Sequence, residues 1–229
     1  GDLDAAAELL RKKGAASADK KAGRIAAEGV IAAAFDDDGG RGVLVEINCE
    51  TDFVAKDESF REFAAAVARC VLRDDPADVE KLLQTALGDG AATVEEARRD
   101  LIARIGENIS VRRFTAFSAE AGNAIAGYIH GGRIGVLVEF SGASAEIGRD
   151  LAMHVAASRP LCVSPDDVPE ATLAKEREIL LAQAAESGKP PEIVEKMVGG
   201  RIKKYLNEIT LLGQPFVKDP DRNVAKLLT

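Results

Sequence analysis

Few residues in this chain are placed to break or make bonds. Glu50 and Asp52 could serve as the acid pair of a small hydrolase, but no further acid is set to work with them and no pocket is evident. The only histidines are His130 and His154, so no histidine triad for a metal can be assembled. Cys49, Cys70 and Cys162 are widely spaced and contain no C-x-x-C pair, which removes the usual zinc frame. Asp36-Asp37-Asp38 invites a cation reading, yet three acids in a hairpin read more simply as solvated charge. Neither a G-x-x-x-x-G-K-[ST] phosphate loop nor a G-x-S-x-G elbow occurs, and Gly39-Gly40-Arg41-Gly42 reads as a turn. An enzyme is poorly supported, and no cofactor or metal is implied.

What stands out instead is Glu50-Thr51-Asp52-Phe53-Val54-Ala55-Lys56-Asp57, where an acid and an aromatic residue occupy a connection that would ordinarily be small and polar. The chemistry on offer is an apolar anchor beside a charge, which suits binding. A bland alternative remains open, with Phe53 and Val54 tucked under the next helix as a staple-like contact.

The elements that must hold this stretch follow from periodicity. Ile25 to Phe35 and Val43 to Cys49 are predicted strands around an Asp/Gly turn, with Val43, Val45, Ile47 and Cys49 on one face. Phe60, Phe63, Ala64, Val67 and Val71 recur at helical spacing and predict a helix over Glu58 to Val71. Helices over Ala77 to Leu87 and Val94 to Ile105 follow, the second opened by the capping box Thr93-x-x-Glu96. Strands are expected at Ile109 to Phe117, Ala124 to Ile129 and Val136 to Phe140, then a helix at Ile147 to Ser158. Two long helical patterns, Glu170 to Glu186 and Pro191 to Glu208, imply an antiparallel hairpin, and a short helix near Asn223 to Leu228 ends the chain. Asp4 to Lys13 reads as one amphipathic helix carrying Leu9 and Leu10, and Ala15 to Gly23 as a linker. The class is α+β.

An internal repeat isolates the acid–aromatic stretch. Gly42-Val43-Leu44-Val45-Glu46-Ile47 matches Gly135-Val136-Leu137-Val138-Glu139-Phe140 at an offset of 93, whereas Phe63-Ala64 and Val67 fall on Leu151-Ala152 and Val155 at an offset of 88. The first strand-to-helix connection is therefore five residues longer. A scaffold that closes with Ser-Gly-Ala-Ser does not need Thr-Asp-Phe-Val for closure, and long connections with a large apolar residue tend to be functional.

Bulk properties narrow the partners. At 46% hydrophobic and 30% charged the chain should fold with a real core, and its formal charge of -8 argues against a general nucleic-acid or membrane-surface binder. Aromatics are 4% and Trp is absent, so base stacking is poorly supplied. The cysteine usage, with no apolar run of membrane length and no signal peptide, points to a reducing, cytoplasmic setting. A start on Gly1-Asp2 without Met suits a fragment or a processed product.

Through Thr51-Asp52-Phe53-Val54-Ala55-Lys56 the chain resembles the translation elongation factor Ts family. Lys20-Lys21-Ala22-Gly23, Ile105-Gly106-Glu107-Asn108-Ile109, His130-Gly131-x-Arg133-Ile134-Gly135-Val136-Leu137-Val138, Met153-His154-Val155-Ala156-Ala157-Ser158 and Gly213-Gln214-Pro215-Phe216 follow that family's blocks in order. The resemblance implies two repeated core subdomains of antiparallel strands with helices, at 24–105 and 106–162. It also implies a helical hairpin or dimerisation module at 163–208, a return segment at 209–229, and at 1–23 the end of an N-terminal helical, UBA-like domain with its linker. It implies a guanine-nucleotide exchange factor whose partner is elongation factor Tu, with Asp52 and Phe53 entering the partner near its Mg²⁺ and nucleotide site and Thr51 and Val54 fixing the loop. Ile105, Gly106, Glu107 and His130 are implied as lesser contacts, with Leu9 and Leu10 of the first helix beside them. His130, from its place at a glycine turn, could equally stabilise that turn, and His154 reads as a buried helix histidine. A pure scaffold or dimerisation protein using the hairpin is the alternative. That hairpin could pair within one chain or between two, as a homodimer or as a 2:2 complex with the partner.

Overall fold

Alternating small and branched apolar residues build the centre of the molecule. In the computed structural model, which describes residues 18–88, 92–186 and 188–228, β1 (Glu28–Phe35) pairs antiparallel with β2 (Arg41–Cys49). The expected face of Val43, Val45, Ile47 and Cys49 is fully buried. It is covered by α2 (Glu58–Asp74), which follows the short α1 (Asp52–Lys56) and turns Phe60, Phe63, Ala64, Val67 and Val71 into the core. β3 (Ser110–Ser118) adds to the free edge of β2 with a register shift at Glu46/Ile47. The predicted helix at Asp4 to Lys13, with Leu9 and Leu10, lies outside the described residues.

α4 (Val94–Ile105) packs against α2, and α3 (Val79–Gln84) packs against α4 and β3, burying Leu82, Val94, Leu101 and Ile102. The predicted capping box opens α4, with Thr93 Oγ1 accepting the Glu96 N–H and Glu96 Oε2 accepting the Thr93 N–H. α3 is shorter than the expected Ala77 to Leu87, because Asp78 caps it by accepting the Lys81 N–H and Thr85 turns extended at its other end. The linker expected before Gly23 is helical over 18–21, with Ala18 buried. The strand expected from Ile25 begins at Glu28 and leaves Ile25 exposed.

The second copy of the repeat supplies the hairpin of β4 (Asn123–His130) and β5 (Ile134–Ser141), then α5 (Ala145–Ser158). This hairpin lies on the other face of β1 and β2, where the repeat glycines permit close approach. A Cβ at Gly135 would fall 2.5 Å from Ile31 Cγ2, and one at Gly42 would fall 2.7 Å from Ile125 Cγ2. The same glycine thus recurs in both copies for one packing reason.

Contacts divide the chain into two units, the first ending at Met153 and the second running from His154. In the second, α6 (Glu170–Ala185) and α7 (Pro191–Ile209) form the expected antiparallel hairpin around Leu180, Ala184 and Val198. A small hairpin of β6 (Pro215–Phe216) and β7 (Asp219–Asn223), which the pattern did not predict, precedes α8 (Val224–Leu227). His154 is buried, as expected of it, and both ring nitrogens are engaged. Nδ1 accepts the Val217 N–H at 3.1 Å, so Nε2 carries the proton and donates to Gln214 Oε1 at 3.0 Å. Gln214 in turn donates to the carbonyls of Glu208 and Ser158, which ties the Gly213-Gln214-Pro215-Phe216 block to two helix ends. Among the described residues no helix is long and apolar enough to cross a membrane.

Candidate partner-binding site

The connection over 50–57 is not the irregular loop expected of it: Asp52–Lys56 forms one turn of helix. Thr51 supplies the N-cap, its Oγ1 accepting the Val54 N–H at 3.4 Å. Asp57 ends α1 and caps α2, its Oδ1 accepting the Phe60 N–H at 3.2 Å and the Ser59 hydroxyl at 2.5 Å. Arg61 reaches back to donate to the Ala55 carbonyl at 3.0 Å. One face of this turn enters the core through Val54 and Ala55. The other carries Asp52 and Lys56 in an ion pair of 2.8 Å, with Phe53 between them in sequence and 80% exposed. The staple-like alternative therefore holds for Val54 and fails for Phe53.

Two acids tie the helix start to the turn after α4. Glu107 Oε2 accepts the N–H groups of Glu50 and Thr51 at 3.1 and 3.0 Å, and its Oε1 accepts the Thr51 hydroxyl at 2.6 Å. In the opposite direction Glu50 Oε1 accepts the Asn108 N–H at 2.6 Å, with Arg24 3.5 Å away. Asn108 donates to the Arg24 carbonyl at 2.8 Å. Gly106 makes this meeting possible: with φ of 90° it takes the left-handed conformation that ends α4 and turns the chain back. Ile105 is half-buried against the core.

His130 closes β4 in an exposed position, its Nδ1 3.2 Å from the Tyr128 hydroxyl. The turn after it docks on β1, with the Ile31 N–H donating to the Gly132 carbonyl at 2.7 Å and Arg133 paired with Glu28. β1 is also the strand on which α1 packs. Between this turn, β1 and α2 lies a cleft of about 440 Å³, lined by Val30, Ile31, Ala32, Arg61, Ala64, Gly131 and Gly132. The hydrogen bond and charge of Lys56 hold the Asp52 carboxyl below its usual range, and Arg133 adds to the effect. Asp52 thus stays ionised beside Phe53. The adjoining Cys49 thiol donates to the Thr51 carbonyl and is pushed up to about 11, first by burial and then by the charges of Glu107 and Glu28.

Residues 50–229 match the family described as elongation factor TS. Over the whole of this chain, the elongation factors Ts of Thioalkalivibrio sulfidiphilus, Alkalilimnicola ehrlichii and Halorhodospira halophila are 62%, 59% and 59% identical, each with 77% of its own length covered. The chain belongs to the elongation factor Ts family.

For a member of the elongation factor Ts family, the geometry sorts the expected residues into three groups. Hydrogen bonds between Thr51 and Glu107 join the helix start of Thr51 to Val54 to the turn that follows Ile105 and Gly106, and the turn of His130 and Arg133 docks on β1, the strand on which α1 packs. Glu107 is directed inward to Glu50 and Thr51. Leu9 and Leu10 fall outside the described residues. The parts played by Glu50, Asn108 and Arg24 are not visible in the sequence. The hydrogen bonds that join Asn108 to Glu50 and to Arg24 span 58 and 84 residues, and no short-range pattern announces such a contact.

Proposed function

We propose that this chain is a guanine-nucleotide exchange factor for elongation factor Tu, with Phe53 as the wedge that enters the partner near its Mg²⁺ and nucleotide site. The observation that carries the reading is the pairing of an 80% exposed Phe53 with a helix whose ends and inner face are fixed. An aromatic ring held out from a rigid turn gives much apolar contact at small entropic cost, and such residues dominate interfaces. Asp52, kept ionised by Lys56, would face the cationic groups around the partner's nucleotide. His130, at the exposed end of β4, would add a second contact. On this reading Ile105 and Gly106 touch the partner less directly.

No bond is made or broken in such a role. The factor has to bind the nucleotide-free partner better than the nucleotide-bound one, and linkage makes each weaken the other by the same ratio. The work belongs in the cytoplasm with the translation machinery, and no cofactor is needed. Release of a fluorescent GDP from elongation factor Tu, with the wild-type chain and with Phe53→Ala, tests it. Loss of a central aromatic anchor is expected to lower the exchange rate by at least tenfold, the effect of about 1.4 kcal/mol or more. A folded Phe53→Ala protein that exchanges at the wild-type rate would overturn the wedge.

A further inference from the structure

We infer that Glu107 is a positioning residue for Phe53: its carboxylate fixes the helix turn from which the ring projects, and it does not touch the partner. The inference rests on the exchange-factor reading for its consequence, and on geometry for its mechanism.

Phe53 has almost no packing of its own, so its direction is set by the backbone of residues 51–54. The N–H groups at the start of that backbone are held by one side chain. Glu107 takes both adjacent N–H groups, of Glu50 and Thr51, on Oε2, and takes the Thr51 hydroxyl on Oε1. Having donated its proton there, the Thr51 oxygen keeps its lone pairs for the Val54 N–H, which is the cap of the helix. The chain of bonds thus runs from Glu107 through Thr51 to the turn that carries Phe53. Glu50 returns the contact by accepting the Asn108 N–H, so the two segments hold each other in both directions. With three of its roughly four acceptor sites directed inward, Glu107 is poorly placed to serve a second protein. Its value lies in pre-organisation, since a wedge already aimed gives up less freedom on insertion.

Two substitutions separate positioning from a charge contact. Glu107→Ala removes all three acceptor bonds. Glu107→Gln removes the charge but keeps an amide oxygen for the Glu50 and Thr51 N–H groups and an NH₂ that can donate to the Thr51 hydroxyl oxygen. The measurements are GDP release from elongation factor Tu and amide hydrogen exchange of residues 50–54 in the factor alone. Positioning expects Glu107→Ala to lose about tenfold in exchange together with protection at Glu50 and Thr51, and Glu107→Gln to stay within about threefold of wild type in both.

A Glu107→Gln protein that keeps its amide protection yet loses tenfold in exchange would overturn the inference in favour of a charge contact. So would wild-type exchange by Glu107→Ala once that protection is gone. If Glu107→Ala does not fold, the glutamine variant still decides. Phe53→Ala runs in parallel: wild-type exchange by that protein sinks the wedge, while the hold of Glu107 on residues 50–54 is read from amide protection with no partner present.

Discussion

The two copies of the repeat make the same hairpin-then-helix unit and join strand to helix differently. In the first, residues 50–57 separate β2 from α2; in the second, residues 142–144 separate β5 from α5. Both connections end on a side-chain cap three residues before the N–H it accepts. Asp57 serves Phe60 at 3.2 Å, and Ser144 serves Ile147 at 3.3 Å. What the first copy adds is a five-residue helix, Asp52–Lys56, set ahead of that shared closure. The addition is two-faced. Val54 and Ala55 were recruited into the core, while Phe53 was left outside it.

The severest way to break the comparison is to delete residues 52–56, making the first connection as short as the second. The sheet and α2 should still form, because the second copy closes with no such helix. Burial of Val54 and Ala55 would be lost, at a cost of about 2–3 kcal/mol seen as a lower melting temperature. Exchange on elongation factor Tu should fall to the uncatalysed rate. Retained exchange in a folded deletion protein would show that the addition is not the effector.

A finer cut separates the two faces. Val54→Ala removes buried methyl groups and should destabilise by about 1.5–2.5 kcal/mol in denaturant unfolding. Phe53→Ala should change stability by less than about 0.5 kcal/mol, since an exposed side chain gives up little on truncation. Exchange should respond in the opposite order. Equal stability losses for the two variants would mean that Phe53 packs inward in solution and that the two-faced description fails.

Much of this contrast was legible in the residues. The alternation through Val43 to Cys49, the stripe from Phe60 to Val71, the capping box at Thr93 and the hairpin of α6 and α7 are all local patterns, and each appears where its period placed it. The five-residue excess was visible because one motif occurs twice. Its helical form was not, since a single turn is too short to display a period and takes its stability from caps and packing. Nor could Glu107 be assigned to Thr51, or Gln214 to His154, because those bonds span 56 and 60 residues and depend on where whole elements come to rest. β6 escaped for a related reason: two residues, one of them proline, carry no alternation.

The smallest expected effect lies in the two caps themselves. The Ser59 hydroxyl and the Phe60 N–H hold the Asp57 carboxyl below its usual range, and Lys56 does the same for Asp52. A carboxyl whose folded pKa is lowered contributes stability at pH above its unfolded value, and that contribution is lost as pH falls through the folded value. Ser144 does not titrate. Acidification from neutrality to roughly pH 3 should therefore lower the protection factor of the Phe60 amide while that of the Ile147 amide stays nearly level. Expressing both as protection factors removes the intrinsic pH dependence of amide exchange. Parallel behaviour of the two amides would mean that the caps are interchangeable, and that the first copy differs from the second only by what it carries on α1.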